Sequence, residues 1–280
     1  MAKLYCLGDS WGWGWAGTDK DGNHLPPFVN NYCQVLATNL GLELVNYSRP
    51  GNSFPQITQQ FFRRLAPILQ PDDVVFFTIP PDVRWHRAVP RGLNGMDNQY
   101  GWEDDEDTIS TLYFRGEFFE KLVAPGNVIS HDTFSYLESE IAQNNFNPYW
   151  FKYNTSLQLI AITYYCESKN ITCAMQHNYG NLDDLLWATP KDLLLDEKHS
   201  MWEWLGLPPL KNTLDFDAVD GDGPNQSAIP EGYTMRDLQQ MFVEKLLMQA
   251  EGEGIDWHPN AESHKHIGGI LYDKLSKRMG

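Results

Sequence analysis

The sequence predicts an α/β fold: a three-layer α/β/α sandwich around a mainly parallel, flavodoxin-like sheet. Three observations predict it. Strand-like and helix-like segments alternate over about the first eighty residues, the order that builds parallel strands with helical crossovers. Asp73–Ile79 (DVVFFTI) is a continuous β-branched and aromatic run, as expected of a strand buried on both faces. A helix-then-strand pair returns later, over about 147–169 and Ile171–Gln176.

Element by element, Lys3–Leu7 is a short apolar strand that ends at Gly8-Asp9-Ser10. Phe28–Leu40 places Phe28, Tyr32, Val35, Leu36 and Leu40 at helical spacing and stops at Gly41, a residue suited to ending helices. Leu42–Tyr47 is the second strand, Pro50–Ser53 a turn, and about Pro55–Leu69 the next helix. After the Asp73–Ile79 strand, Pro80-Pro81 breaks the pattern. Two irregular stretches, about 86–146 and 180–233, read as insertions into a single domain spanning 1–280. The first contains the acidic run Glu103–Asp107, which lacks the ligand spacing of a calcium loop and reads as solvated. A helix over Thr234–Glu251, a loop and a last helix over about Ala261–Met279 complete the chain. Right-handed crossovers in such a sheet place ligands beyond the strands' carboxyl ends.

Composition narrows the function classes. The 280 residues carry a formal charge of −16, a sign that repels phosphate backbones and anionic headgroups, so nucleic acid and acidic membranes are poor partners. No apolar run is long enough to span a bilayer. The opening MAKLYCLGDSWGWG turns polar too quickly for a signal peptide, which points to a cytoplasmic location. The four cysteines (Cys6, Cys33, Cys166, Cys173) form no C-x-x-C and are expected to be reduced, although Cys166 and Cys173 flank a helix-to-strand turn and can approach each other. Ten Trp and thirteen Tyr exceed the usual needs of a core. Some of these rings are expected to line a groove, where they stack on sugars or apolar ligands, or else to pack between insertions and core.

Three segments carry candidate chemistry. Ser10, directly after the first strand, sits where a hydroxyl can face solvent and its own N–H can point into an oxyanion site. Asn46–Ser53 follows the second strand, and Gly51 there permits close backbone approach, which makes its N–H a second oxyanion donor or simply a turn residue. Asp256-Trp257-His258-Pro259-Asn260 leads into the final helix and puts a histidine beside a carboxylate, as a general base needs. A metal site built from Asp256, His258, His264 and His266 is the competing reading. It is awkward because residues two apart on a helix point to different sides.

Together these residues resemble the SGNH/GDSL hydrolase family: Gly8–Ser10 matches its N-terminal G-D-S, Gly51 its second-block glycine, and Asp256–His264 its D-x-x-H-P-N-x-x-G-H block. The resemblance implies the SGNH hydrolase fold and a serine esterase, with Ser10 as nucleophile, His258 as base and Asp256 as the orienting acid, needing no cofactor or metal. It implies a small-molecule or carbohydrate ester as substrate, O-acetyl esters among them. The opening G-D-S-W-G is similar to phage and bacterial members, which adds a virion-associated location. Two departures stand out. The family's third-block asparagine is missing from Thr78–Trp85, which leaves Asn178, Asn52 and Arg84 as replacement oxyanion donors. Asp256 and His258 are separated by one residue instead of two, which brings Glu253 or a backbone carbonyl into question as the partner. The alternative is a weak or inactive SGNH-fold binding or structural module, such as a phage virion component, that uses aromatic insertions for contacts.

Overall fold

In the computed structural model, residues 2–17, 25–50, 52, 54–80, 85–88, 109–112, 148–178, 193–211, 219–220, 223–224, 229–244, 248–251 and 254–280 are described. Four strands form one parallel sheet in the order β2-β1-β3-β6: β1 (Lys3–Leu7), β2 (Glu43–Asn46), β3 (Val74–Ile79) and β6 (Thr172–His177). Register brings Leu7 opposite Phe77, and Ile79 opposite His177, so the strands end together at one edge.

Alternation along these strands sorts the core into two halves, as a period of two residues requires. Leu4, Cys6, Val74, Phe76 and Ala174 face one side. There they meet α2 (Tyr32–Leu40), the short α5 (Met201–Trp204) and α7 (Ala261–Met279). Tyr5, Leu7, Val75, Phe77, Ile79 and Met175 face the other side. They meet α3 (Phe54–Gln60), a π-helical turn (Phe61–Leu65) and α4 (Pro148–Ser168). The protein is therefore a three-layer α/β/α sandwich around a parallel sheet. Each fully buried Phe or Leu contributes roughly 1.5–3 kcal/mol, so both helical layers are firmly attached.

Several expected boundaries move, each for a local reason. The helix expected from Phe28 begins at Tyr32, because the Asn31 side chain caps it by accepting from Gln34 N at 3.1 Å. The helix expected over Pro55–Leu69 tightens into α3 and then widens, with Ala66 N–H donating to Phe61 O at 2.8 Å. Within the last third, the helix expected to run to Glu251 is α6 (Met235–Glu244) alone. Met248–Glu251 is instead strand β9, antiparallel to β10 (Gly254–Pro259). His258 thus lies on a strand where a loop was expected. Gly252 and Gly254 each cost a continuing helix about 1 kcal/mol, and pairing with β10 overrides the helical preference of Met-Gln-Ala-Glu.

The two expected insertions lie largely outside the described residues. What is described in them includes two antiparallel strand pairs, β4 (Trp85–Ala88) with β5 (Ile109–Leu112), and β7 (Val219–Asp220) with β8 (Gly223–Pro224). Residues 193–211 are also described, and most of their apolar side chains join the core. Leu195 N–H donates to Met175 O at 3.0 Å along the edge of β6. Leu193, Leu194, Met201, Leu205, Leu207 and Leu210 are buried. Trp202 is buried too, its Nε1 donating to Pro208 O at 2.8 Å, so this ring belongs to the core instead of a groove. All four cysteines are free thiols, and hydrogen bonding to Cys166 together with burial pushes the Cys173 thiol up. Among the described residues no helix is long and apolar enough to cross a membrane.

Candidate active site

The turn after β1 is fixed before any substrate arrives. Gly8 has no room for a side chain, since a Cβ there would lie 1.8 Å from Thr78 Oγ1. Asp9 adopts an extended conformation (φ −101°, ψ −152°) and caps the four-residue helix α1 (Ser10–Trp13) by accepting from Trp11 N–H at 3.1 Å. Its carboxylate is wholly buried and also accepts from Asn178 Nδ2 at 2.7 Å. Ser10 is thereby held as the first residue of a helix, where N–H groups have no intrahelical acceptor. The helix ends in a Schellman motif at Gly14 (φ 85°), with Gly14 N–H donating to Trp11 O at 3.2 Å and Trp15 N–H to Ser10 O at 3.1 Å.

The second strand's loop braces the same turn. Asn46 Nδ2 donates to Gly12 O at 2.8 Å, and Cys33 Sγ to the same oxygen at 3.5 Å. Tyr47 N–H donates to Cys6 O at 2.7 Å and Arg49 N–H to Gly8 O at 3.0 Å, so the loop is zipped alongside the end of β1.

The end of β10 meets this turn. His258 Nε2 lies 2.8 Å from Ser10 Oγ, across 248 residues of sequence. Pro259 behind it is buried, and Asn260 caps α7 by accepting from Ser263 N–H at 2.9 Å, which fixes the strand-to-helix junction. The Trp15 ring lies against the imidazole, with centroids 5.5 Å apart and planes inclined by 38°. Behind the junction His264 is fully buried between the Phe28 and Tyr32 rings. Burial first, and the neighbouring His258 second, lower its pKa to about 3, so it is a neutral ring. Tyr32 N–H donates to His264 Nδ1 at 3.4 Å, which leaves its proton on Nε2. His266 is exposed and its Nε2 lies 3.1 Å from Trp204 O. The two histidines diverge as their spacing on the helix dictates.

The remaining expected site residues divide into two groups. Asn178 was expected to donate to an oxyanion. It emerges near the site, but it is fully buried and its amide donates to Asp9, so it holds the turn carrying Ser10. Asn52, the next expected donor, is also fully buried, and its Nδ2 donates to Gly8 O at 2.9 Å and Gln60 Oε1 at 3.4 Å. Its amide nitrogen is thus committed to the end of β1 and to α3. Gly51, Arg84 and Glu253 lie outside the described residues. For Asp256 the backbone alone is described, opposite Gln249 in the β9–β10 hairpin.

Sequence reasoning overlooked the anchoring role of Asp9, the bracing by Asn46, and His177, buried at the end of β6 with its pKa lowered to about 3 by burial. The G-D-S tripeptide was a signal for the first of these, since Asp directly before a helix start is a preferred cap.

No protein-family model matches the chain, and no curated protein matches it in sequence. Among solved structures it is similar to Est24, a carbohydrate acetylesterase from Sinorhizobium meliloti, at 13% identity and a TM-score of 0.42, covering 99% of this chain and 100% of that one. It is similar to the aryl esterase of M. smegmatis at 12% identity and a TM-score of 0.40, covering 99% of each chain. Another similar structure is Est2A, an acetyl xylan esterase from the rumen bacterium Butyrivibrio proteoclasticus, at 13% identity and a TM-score of 0.43, covering 100% of this chain and 64% of that one.

Proposed function

We propose that this chain is a serine esterase of the SGNH/GDSL kind, acting on small or carbohydrate esters through an acyl-enzyme. The observation that carries the reading is the 2.8 Å approach of His258 Nε2 to Ser10 Oγ. This is hydrogen-bond reach for proton transfer, at the strand edge where such sheets bind ligands. In this mechanism Nδ1 of His258 carries the proton, so Nε2 accepts the hydroxyl proton as Ser10 Oγ attacks the ester carbonyl. The alcohol leaves with the proton that His258 returns, and water then releases the acyl group by the same steps in reverse.

The Ser10 and Gly51 N–H groups serve as oxyanion donors, Asp256 orients His258, and Asn178 acts at one remove by fixing Asp9. A side-chain donor in place of the family's asparagine is worth about 3–4 kcal/mol; with Asn178 and Asn52 engaged elsewhere, Arg84 is the remaining candidate. The test is steady-state hydrolysis of para-nitrophenyl acetate and of an O-acetylated oligosaccharide by wild type and Ser10→Ala. Turnover in the wild type that falls at least about a hundredfold in Ser10→Ala supports the reading. A folded wild type with no activity on either ester supports the binding-module alternative.

A further inference from the structure

We propose that Trp15 is a positioning residue for this reaction, its indole face steadying the imidazolium that His258 becomes when it takes the Ser10 proton. The inference rests on the serine-esterase reading and adds a residue to it. Trp15 occupies the position after the left-handed glycine of the Schellman motif, and its N–H holds the Ser10 carbonyl at 3.1 Å. In that motif the side chain after the glycine tends to fold back toward the residue whose carbonyl it holds. Here that residue is Ser10, and the group bonded to Ser10 Oγ is the imidazole of His258. One turn of chain therefore fixes the nucleophile and the ring packed beside its base. Trp11, four residues earlier, is fully buried and fills the core, whereas Trp15 is half-buried at the site itself.

A cation within about 6 Å of an indole centroid is attracted by the ring's quadrupole, and Trp gives the strongest such contact. The centroid separation of 5.5 Å satisfies this distance. A neutral imidazole gains far less, so the contact strengthens as the proton moves, the property an interaction needs in order to raise kcat. Ser10 on α1 supplies the proton, and His264 on α7 is a buried neutral ring. Asp256, on the same strand, is the carboxylate proposed for Nδ1.

The experiment replaces Trp15 site-specifically with mono-, di- and tetrafluorinated tryptophan, which keep the ring's shape while withdrawing charge from its face. Two readouts are taken: kcat and KM for para-nitrophenyl acetate, and the NMR titration midpoint of the His258 ring. The expected result is a stepwise fall in kcat of about tenfold across the series, KM steady within about twofold, and a midpoint that falls by about one unit. A flat kcat and a flat midpoint overturn the proposal. So does a rising KM with kcat unchanged, which makes Trp15 a wall for substrate. A midpoint that falls in a protein without turnover upholds the Trp15–His258 coupling and sinks the esterase reading instead.

Discussion

Replacing Asn178 by Asp tests the buried contact that holds the nucleophile turn. Asn178 Nδ2 donates to Asp9 Oδ1 at 2.7 Å, and both residues have 0% exposure. The substitution turns the donor into an acceptor in the same place. Two carboxylates at that separation cannot both ionise, so the pair retains one proton. Holding it at pH 7 on a group whose ordinary value is about 3.9 costs about 1.4 kcal/mol per unit, or roughly 4 kcal/mol. The pair's folded-state value is raised above the unfolded one, so this penalty is absent below about pH 4 and grows as pH rises. Between pH 5 and pH 7 the stability gap between variant and wild type widens by about 2.7 kcal/mol. Urea unfolding at both pH values measures it, provided the m-values agree. A gap constant to within about 1 kcal/mol would refute the contact, because a hydrated or separated pair has no reason to keep a proton.

Two further outcomes follow from the same geometry. Asp256→Asn lowers ester turnover by about a hundredfold or more with little loss of thermal stability if Asp256 orients His258; near-wild-type turnover leaves His258 with another partner or none. His264, whose pKa is lowered to about 3, must take up a proton on unfolding below its ordinary value of about 6.5. Its contribution is present above that value and is lost as pH falls, at up to about 1.4 kcal/mol per pH unit. Thermal melts from pH 7 to pH 4 should show a shallower acid loss in His264→Gln, while His177, lowered to about 3 as well, keeps its share in both proteins.

The legible parts of this molecule are those written in local pattern. The β-branched run of β3, the apolar spacing of α2 up to Gly41 and the amphipathic stretch of α7 announce elements that pack as expected, and Ser10 and His258 stand in short motifs whose meaning does not depend on the residues between them. Long-range partners were not legible. Nothing in the sequence near Asn178 says that its amide will meet Asp9, 169 positions away, because that contact depends on β1 and β6 ending at the same edge. From sequence the β9–β10 pair looks like helix and loop because Met-Gln-Ala-Glu suits a helix until a partner strand is supplied. Residues 193–211 looked irregular because their apolar residues follow neither period, yet they bury a row of leucines beside β6.

Intact-mass analysis after exposure to a fluorophosphonate probe, with the modified peptide sequenced, tests directly whether Ser10 is the nucleophile. A single adduct on Ser10 is expected, absent in Ser10→Ala and slowed at least about a hundredfold in His258→Ala, since a serine without its base is a poor nucleophile. A folded wild type that takes up no probe, or takes it up on another residue, would contradict it.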